Sequence, residues 1–140
     1  RGAELAVLAA CGELAAVLTP GLPENVRCVA FAPQLEVLSH AAAFVSHGGA
    51  NSVMEALAFG VPLALSPICN DQVHNLRFVE RAGVGVHLPL DTAPREAIRA
   101  SLEALVRPGP TRAATAEVAS TYRTHDGARE AARCILEHVR

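Results

Sequence analysis

The chain has 140 residues, of which 51% are hydrophobic and 19% are charged, and its formal net charge is −2. This length suffices for one domain, residues 1–140, and is too short for two domains of ordinary size. The composition excludes a disordered chain, and the sequence has no basic block to favour nucleic acid or an anionic membrane as a partner. Charged and proline residues interrupt every apolar run, so no segment is expected to span a bilayer.

The four cysteines are widely scattered and form no C-x-x-C pair, which predicts free and mostly buried thiols: Cys11, Cys28, Cys69 and Cys134. Free thiols are typical of a reduced, intracellular protein, so we expect a cytoplasmic location. The sequence starts without a methionine and passes directly into a helical pattern, which is typical of a piece of a longer chain.

Helical and apolar strand-like segments alternate along the chain. In chain order they predict a helix over 3–11, strands over 14–19 and 26–31, a helix over 34–40, a strand over 41–45, a helix over 51–59, a strand over 61–66, a helix over 71–82, a strand over 84–88, and helices over 94–106, 112–123 and 127–139. This order predicts an α/β fold with a doubly wound, mostly parallel sheet and helices on both faces. Such a domain normally starts with a strand, so its first strand is missing from the predicted order.

The junction after the third predicted strand has the features of an anion site. The apolar run ends in His47, Gly48 and Gly49, and a helix follows that begins with Asn51 and Ser52. Free N–H groups and the positive end of the helix dipole collect at such a helix start, and glycines let the backbone approach a ligand. An ordinary helix capped by Asn51 or Ser52 is the alternative that this stretch leaves open.

Glu55 lies one helical turn beyond Asn51 and shares its face. A carboxylate repels a neighbouring phosphate, so Glu55 suits the hydroxyls of a sugar further along the same ligand. A solvated first-turn acid is the alternative.

Further polar residues fall on loops at the carboxyl ends of the predicted strands, which line one crevice in a parallel sheet. Phe31 either stacks on a flat base or lies in the core, and Gln34 either bonds to a base or ribose or caps a helix. Asp71 and Gln72 either bind sugar hydroxyls or, for Asp71, merely cap a helix. The histidines lack the spacing of a metal site, and a chain without lysine cannot supply a Walker-type loop.

Together these segments resemble the donor-binding signature of nucleotide-sugar glycosyltransferases, the family that includes plant secondary-product, animal glucuronosyl and bacterial antibiotic glycosyltransferases. The resemblance is strong over about residues 26–87 and rests on F-A-P-Q at 31–34, H-A-A-A-F-V-S-H-G-G-A-N-S-V-M-E-A-L at 40–57, G-V-P at 60–62, Pro67 and D-Q at 71–72. The stretch from His40 to His47 is shorter than in the plant members, which favours the bacterial ones.

The resemblance implies a role for each matching residue. Phe31 stands where plant members have a tryptophan stacked on uracil, Gln34 matches the glutamine near the base and ribose, and His47 matches the histidine that contacts the diphosphate. The other implied donor contacts are Gly49, Asn51 and Ser52 on the phosphates, Glu55 on the ribose hydroxyls, and Asp71 and Gln72 on the transferred sugar.

The family has the GT-B fold, in which two Rossmann-like domains enclose the active site, and this chain resembles the carboxyl-terminal, donor-binding one. The resemblance implies a UDP- or TDP-sugar donor, inversion at the anomeric carbon, and no cofactor or obligatory metal. The catalytic base, a histidine of the amino-terminal acceptor domain, is not in this sequence, so we expect the chain to be inactive alone.

Two other functions remain open from the sequence. The chain is either a separate donor-binding subunit that acts with a partner chain, or part of a related sugar-nucleotide epimerase or hydrolase. The alanine- and arginine-rich composition is typical of a bacterial source and favours a small-molecule natural product as the acceptor.

Overall fold

The computed structural model describes residues 5–139 and contains five strands and seven α-helices in that range. The strands are β1 Val7–Ala10, β2 Val26–Val29, β3 Phe44–Ser46, β4 Leu63–Leu65 and β5 Gly85–His87. The helices are α1 Ala15–Leu18, α2 Gln34–Leu38, α3 Ala50–Ala58, α4 Gln72–Arg81, α5 Arg95–Val106, α6 Pro110–Thr124 and α7 Gly127–His138.

All strand pairs between residues 5 and 139 are parallel, which confirms the predicted α/β class. The strands form two sheets, one with the order β1-β2 and one with the order β3-β4-β5, rather than one continuous sheet. Ser46, Leu65 and His87 lie side by side in the second sheet, so its three strands end at one edge. Loops that leave this edge carry several of the predicted site residues.

The core is built around β4, whose three residues are fully buried. Leu63 and Leu65 pack with apolar residues of α3 and α4, whereas Ala64 packs with Leu88 and Leu105, the latter on α5. Because successive strand residues point to opposite faces, a continuously apolar strand requires helices on both sides. The predicted covering of both sheet faces is therefore confirmed for the three-stranded sheet.

The first two predicted elements are wrong. Residues 7–10 of the predicted helix over 3–11 form strand β1, residues 3 and 4 lie outside the described range, and α1 lies within the predicted strand over 14–19. The backbone of β1 pairs with β2 from Val7 to Ala10, and these ladder bonds outweigh the intrinsic helix propensity of alanine and leucine, which is worth less than about 1 kcal/mol per residue. A strand, β1, therefore precedes the first described helix, whereas the predicted order had no strand at that place.

The remaining predicted elements are confirmed, with ends that shift by up to three residues. The largest shift is at β3, which begins at Phe44 and not at Ala41, because the chain after α2 continues in a turn with bonds from His40 N to Val37 O and from Ala41 N to Leu38 O. In the described part of the chain, no helix is both long and apolar enough to cross a membrane.

The cysteines are free, as predicted, but they are not mostly buried. Cys11 and Cys28 are half-buried, with their sulfurs 3.5 Å apart, whereas Cys69 and Cys134 are exposed. Cys69 lies on the loop before α4, and Cys134 lies on α7, which has no buried residue. The contact with Cys11 raises the pKa of the Cys28 thiol, because the hydrogen bond and burial both favour its neutral form.

Candidate functional site

Two glycines form the turn from β3 into α3. Gly48 is buried with φ +89°, and a Cβ there would lie 3.2 Å from Leu65 Cδ1 and 3.6 Å from the backbone oxygen of Gln72. A Cβ at Gly49 would lie only 2.6 Å from His47 Nε2. Gly48 therefore permits the tight turn, and the absence of a side chain at Gly49 leaves space for the exposed imidazole of His47 beside the helix start.

The helix start itself is not the ordinary capped one. Gly49 is the N-cap of α3, and glycine has no side chain with which to accept the first-turn N–H groups. Asn51 and Ser52 lie inside the first turn, so the alternative in which one of them is the cap is wrong. The N–H groups at the start of α3 keep their hydrogen-bonding capacity and lie at the positive end of the helix dipole.

Gln34 joins the loop after β2 to the face of α3. Its Nε2 donates to Glu55 Oε2 at 2.6 Å and lies 3.4 Å from Ser52 Oγ. Gln34 is the first residue of α2, after Pro33 at the N-cap, so it does not cap that helix. Glu55 is half-buried and hydrogen-bonded, which rules out the alternative of a merely solvated acid.

Phe31 is 81% exposed, which rules out the alternative that it belongs to the core. It lies two residues beyond the end of β2 and three before Gln34. An exposed aromatic ring offers an apolar face on which a flat base can stack.

Asp71 is the N-cap of α4, but its carboxylate does not bond to the helix backbone as a cap would. Its Oδ2 accepts a hydrogen bond of 2.8 Å from Asn75 Nδ2, which also donates to the backbone oxygen of Gly48 at 2.9 Å. Asp71 is exposed and has acceptor capacity left for a ligand hydroxyl.

Gln72 lies where the sequence predicted, but its amide is directed into the protein. Its Oε1 accepts from the backbone N–H groups of Ile68 at 2.7 Å and Cys69 at 3.0 Å, and only 8% of the residue is exposed. Gln72 thus holds the loop between β4 and α4. Its Nε2 donates one hydrogen to Cys69 Sγ at 3.7 Å, and the second hydrogen is its available donor.

The structure joins the three loop clusters that the sequence placed at the strand ends. The hydrogen bond from Gln34 to Glu55 connects the loop after β2 to helix α3. The hydrogen bond from Asn75 to Gly48 connects helix α4 to the glycine turn after β3. His87 ends β5 at the same sheet edge and is exposed. The loops that carry the predicted site residues are therefore connected by side-chain hydrogen bonds, and their meeting around one ligand stays a prediction.

Two residues of this network were missed by the sequence reasoning. Ser46 Oγ accepts from the Gly48 N–H at 3.2 Å, and Asn75 links Gly48 to Asp71. The available signal for Asn75 was its position four residues after Asp71 in a helical pattern, since such pairs share a helix face. Between residues 5 and 139, no group of three or more His, Cys, Asp or Glu residues is arranged to hold a metal ion.

A parallel α/β fold with a glycine turn and a helix start without a side-chain cap, at the carboxyl edge of its sheet, is typical of α/β domains that bind a phosphorylated ligand at that edge. The chain belongs to the family described as erythromycin biosynthesis protein CIII-like, C-terminal domain, which it matches over residues 4–137.

The chain is similar to several glycosyltransferases. It is 30% identical over 119 residues to the uncharacterized UDP-glucosyltransferase YojK of Bacillus subtilis (strain 168), with 85% of this chain and 29% of YojK covered. It superposes on the calicheamicin glycosyltransferase CalG4 with a TM-score of 0.83 and 31% identity, covering 94% of this chain and 35% of CalG4. It superposes on glycosyltransferase VinC in complex with dTDP with a TM-score of 0.75 and 25% identity, covering 83% and 29% of the two chains.

The chain thus spans about a third of the length of these relatives or less. Its fold is that of the carboxyl-terminal domain of GT-B glycosyltransferases, as the family match and the superpositions show.

Proposed function

We propose that this chain is the domain that holds a UDP- or TDP-sugar for an inverting glycosyltransferase. The observation that carries the proposal is the start of α3 without a side-chain cap, which is linked to Gln34 and Glu55 through contacts on α3 and to Asp71 through Asn75. These groups follow the chemical order of a nucleotide sugar, which has a base and ribose at one end, a diphosphate in the middle and a sugar at the other. The names of YojK and VinC, which mention UDP and dTDP, support this choice of nucleotides.

Each part of the donor meets a chemically suitable group in this assignment. The base stacks on Phe31 beside Gln34, and the ribose hydroxyls donate to the carboxylate of Glu55. The diphosphate lies against the glycine turn Gly48–Gly49 and the first turn of α3 with Asn51 and Ser52, beside the imidazole of His47. Asp71 accepts from the hydroxyls of the transferred sugar, and Gln72 shapes the loop before α4 and offers its amide hydrogens.

This arrangement assists the reaction at the leaving group. When the bond between the anomeric carbon and the diphosphate breaks, negative charge grows on the diphosphate, and fixed N–H donors at a helix start stabilise it without rearranging. We propose that these donors act without an obligatory metal or cofactor. The base that deprotonates the acceptor hydroxyl comes from polypeptide outside these 140 residues, so residues 1–140 act as a single donor-binding domain.

We further propose a small-molecule natural product as the acceptor and the cytoplasm as the site of the reaction. The erythromycin biosynthesis family and the calicheamicin glycosyltransferase, as their names state, concern compounds of this kind. The four free thiols fit a reducing compartment.

Titration calorimetry with UDP, TDP and GDP tests the donor site. We expect micromolar-to-millimolar dissociation constants for UDP or TDP, which correspond to binding free energies of about −4 to −8 kcal/mol. The His47→Ala and Glu55→Ala variants should bind the nucleotide several-fold more weakly. His125→Ala and Glu117→Ala, which change exposed residues at the end of α6 and on α6, serve as matched controls and should bind like the unaltered chain. Equal binding by all five proteins would refute the site assignment.

The same titrations test whether the donor site needs a metal ion. Nucleotide binding should be unchanged between buffers with EDTA and with Mg²⁺, and a strict requirement for Mg²⁺ would overturn the metal-free assignment.

An activity assay tests whether this chain lacks the catalytic base. Incubation of the chain with UDP-glucose and a phenolic acceptor should give no glucoside, and efficient transfer would show that the chain contains its own catalytic base.

A further inference from the structure

Asn75 holds together two parts of the site that are far apart in sequence. Its Nδ2 donates to the backbone oxygen of Gly48 at 2.9 Å and to Asp71 Oδ2 at 2.8 Å. Both partners are pure acceptors, so only the amide nitrogen of Asn75 can make these two bonds. The side chain is half-buried at the start of α4, one helical turn beyond Asp71.

The bond to Gly48 fixes the direction of a peptide group in the glycine turn. Gly48 has φ +89°, which favours glycine, and a Cβ there would lie within 3.2 Å of Leu65 Cδ1. In a trans peptide the N–H of Gly49 points opposite to the C=O of Gly48. Since Asn75 draws that C=O toward α4, the Gly49 N–H points away from α4.

The bond to Asp71 fixes the carboxylate of an exposed residue. Without it, an aspartate at a helix N-cap would turn freely or bond to the first-turn N–H groups of its own helix. With it, one carboxylate oxygen is occupied by Asn75 and the other remains available for a ligand.

We infer that Asn75 is a positioning residue that couples the diphosphate turn to the carboxylate that binds the transferred sugar. The inference rests on the proposed function, and it adds that the two ends of the donor are bound cooperatively through one amide group. Asn75 itself touches neither the diphosphate nor the sugar. It keeps the turn and the carboxylate oriented before the donor binds, which lowers the cost of ordering them on binding.

Binding of UDP and UDP-glucose, or of TDP and TDP-glucose if that nucleotide binds better, tests this coupling. We expect Asn75→Ala to weaken the nucleoside diphosphate about threefold to tenfold, as for the loss of one hydrogen bond, and to weaken the nucleotide sugar by a further factor of about three to ten. The Asp71→Ala change should weaken only the nucleotide sugar, and its effect should shrink when Asn75 is already alanine, because the carboxylate is then no longer oriented.

Two variants separate positioning from simple packing. Asn75→Asp keeps the size of the side chain but places an acceptor against the Gly48 oxygen and Asp71, so it should weaken binding at least as much as alanine while keeping the fold by circular dichroism. His74→Ala, at the neighbouring exposed position of α4, is the control and should leave both affinities unchanged.

The outcomes distinguish this inference from the proposed function. If the unaltered chain binds neither UDP nor TDP, the proposed function fails and the inference with it. If the chain binds but both Asn75 variants bind like it, only the inference is overturned. If the Asn75 variants bind the nucleotide and the nucleotide sugar equally less tightly, and the effect of Asp71→Ala is unchanged in them, Asn75 has only a structural role. This result would also overturn the inference.

Discussion

At the scale of single residues, the site is defined by which side chains are already engaged within the protein. Gln72 was predicted to face the ligand beside Asp71, but its oxygen accepts two backbone N–H groups of its own loop. Phe31 was left open between core and surface, and its 81% exposure resolves the question. Neither fact follows from residue type, because a glutamine or phenylalanine at a strand end is chemically suited to both environments.

At the same scale, we predict that Gln34 contributes to nucleotide binding through its hydrogen bond to Glu55. Replacing it with alanine removes the donor 2.6 Å from Glu55 Oε2, so we expect UDP or TDP to bind about threefold to tenfold more weakly. The effect should shrink in a Glu55→Ala background, since residues that act through one contact are not additive. Calorimetry of the two single variants and the double variant measures this coupling, and full additivity would show that Gln34 and Glu55 act separately.

At the scale of elements, the spacing of strands β4 and β5 depends on Gly85. A Cβ at this position would meet the backbone oxygen of Leu63 and would lie 2.7 Å from Val79 Cγ1. Leu63 is the register partner of Gly85, and Val79 covers the sheet from α4. Close backbone approach, and not a special φ, is the reason for glycine here, since Gly85 is not among the residues with positive φ.

Gly85→Ala should therefore lower the free energy of unfolding by about 2–4 kcal/mol or prevent folding, because the rigid backbone of β4 cannot move aside. The matched control is Gly127→Ala at the start of α7, where a Cβ meets nothing within 4 Å and alanine is the better helix former. Urea unfolding compares the two variants. A Gly85→Ala variant as stable as the control would show that the two strands separate easily.

At the scale of the whole molecule, the two sheets differ in how well they are buried. The residues of β4 are fully buried, whereas Val7 and Leu8 on β1 are 40% and 45% exposed and Val17 on α1 is 74% exposed. Local opening costs less where few apolar contacts are lost. We therefore expect the segment from β1 to β2 to be less stable than the β3-β4-β5 sheet.

Amide hydrogen exchange tests this gradient. We expect peptides from residues 7–29 to exchange at least about tenfold faster than those from residues 61–66, because their hydrogen bonds open without unfolding the β3-β4-β5 core. Peptides from the middle of α6, where Thr115 and Ala119 are buried, should exchange as slowly as the core. Uniform protection across all three regions would show that the chain unfolds as one cooperative unit.

The sequence alone determined the α/β class, nearly all elements after residue 25 and the loops that carry the site. Apolar runs, glycines and helical spacing encode these features locally, and the order of polar residues carried the family resemblance. Only the tertiary structure decided that residues 7–10 are a strand, because the pairing of β1 with β2 is a contact between distant segments. It also decided that Asn75 joins Gly48 to Asp71, because a bond across 27 residues depends on how β3 and α4 pack and leaves no local pattern.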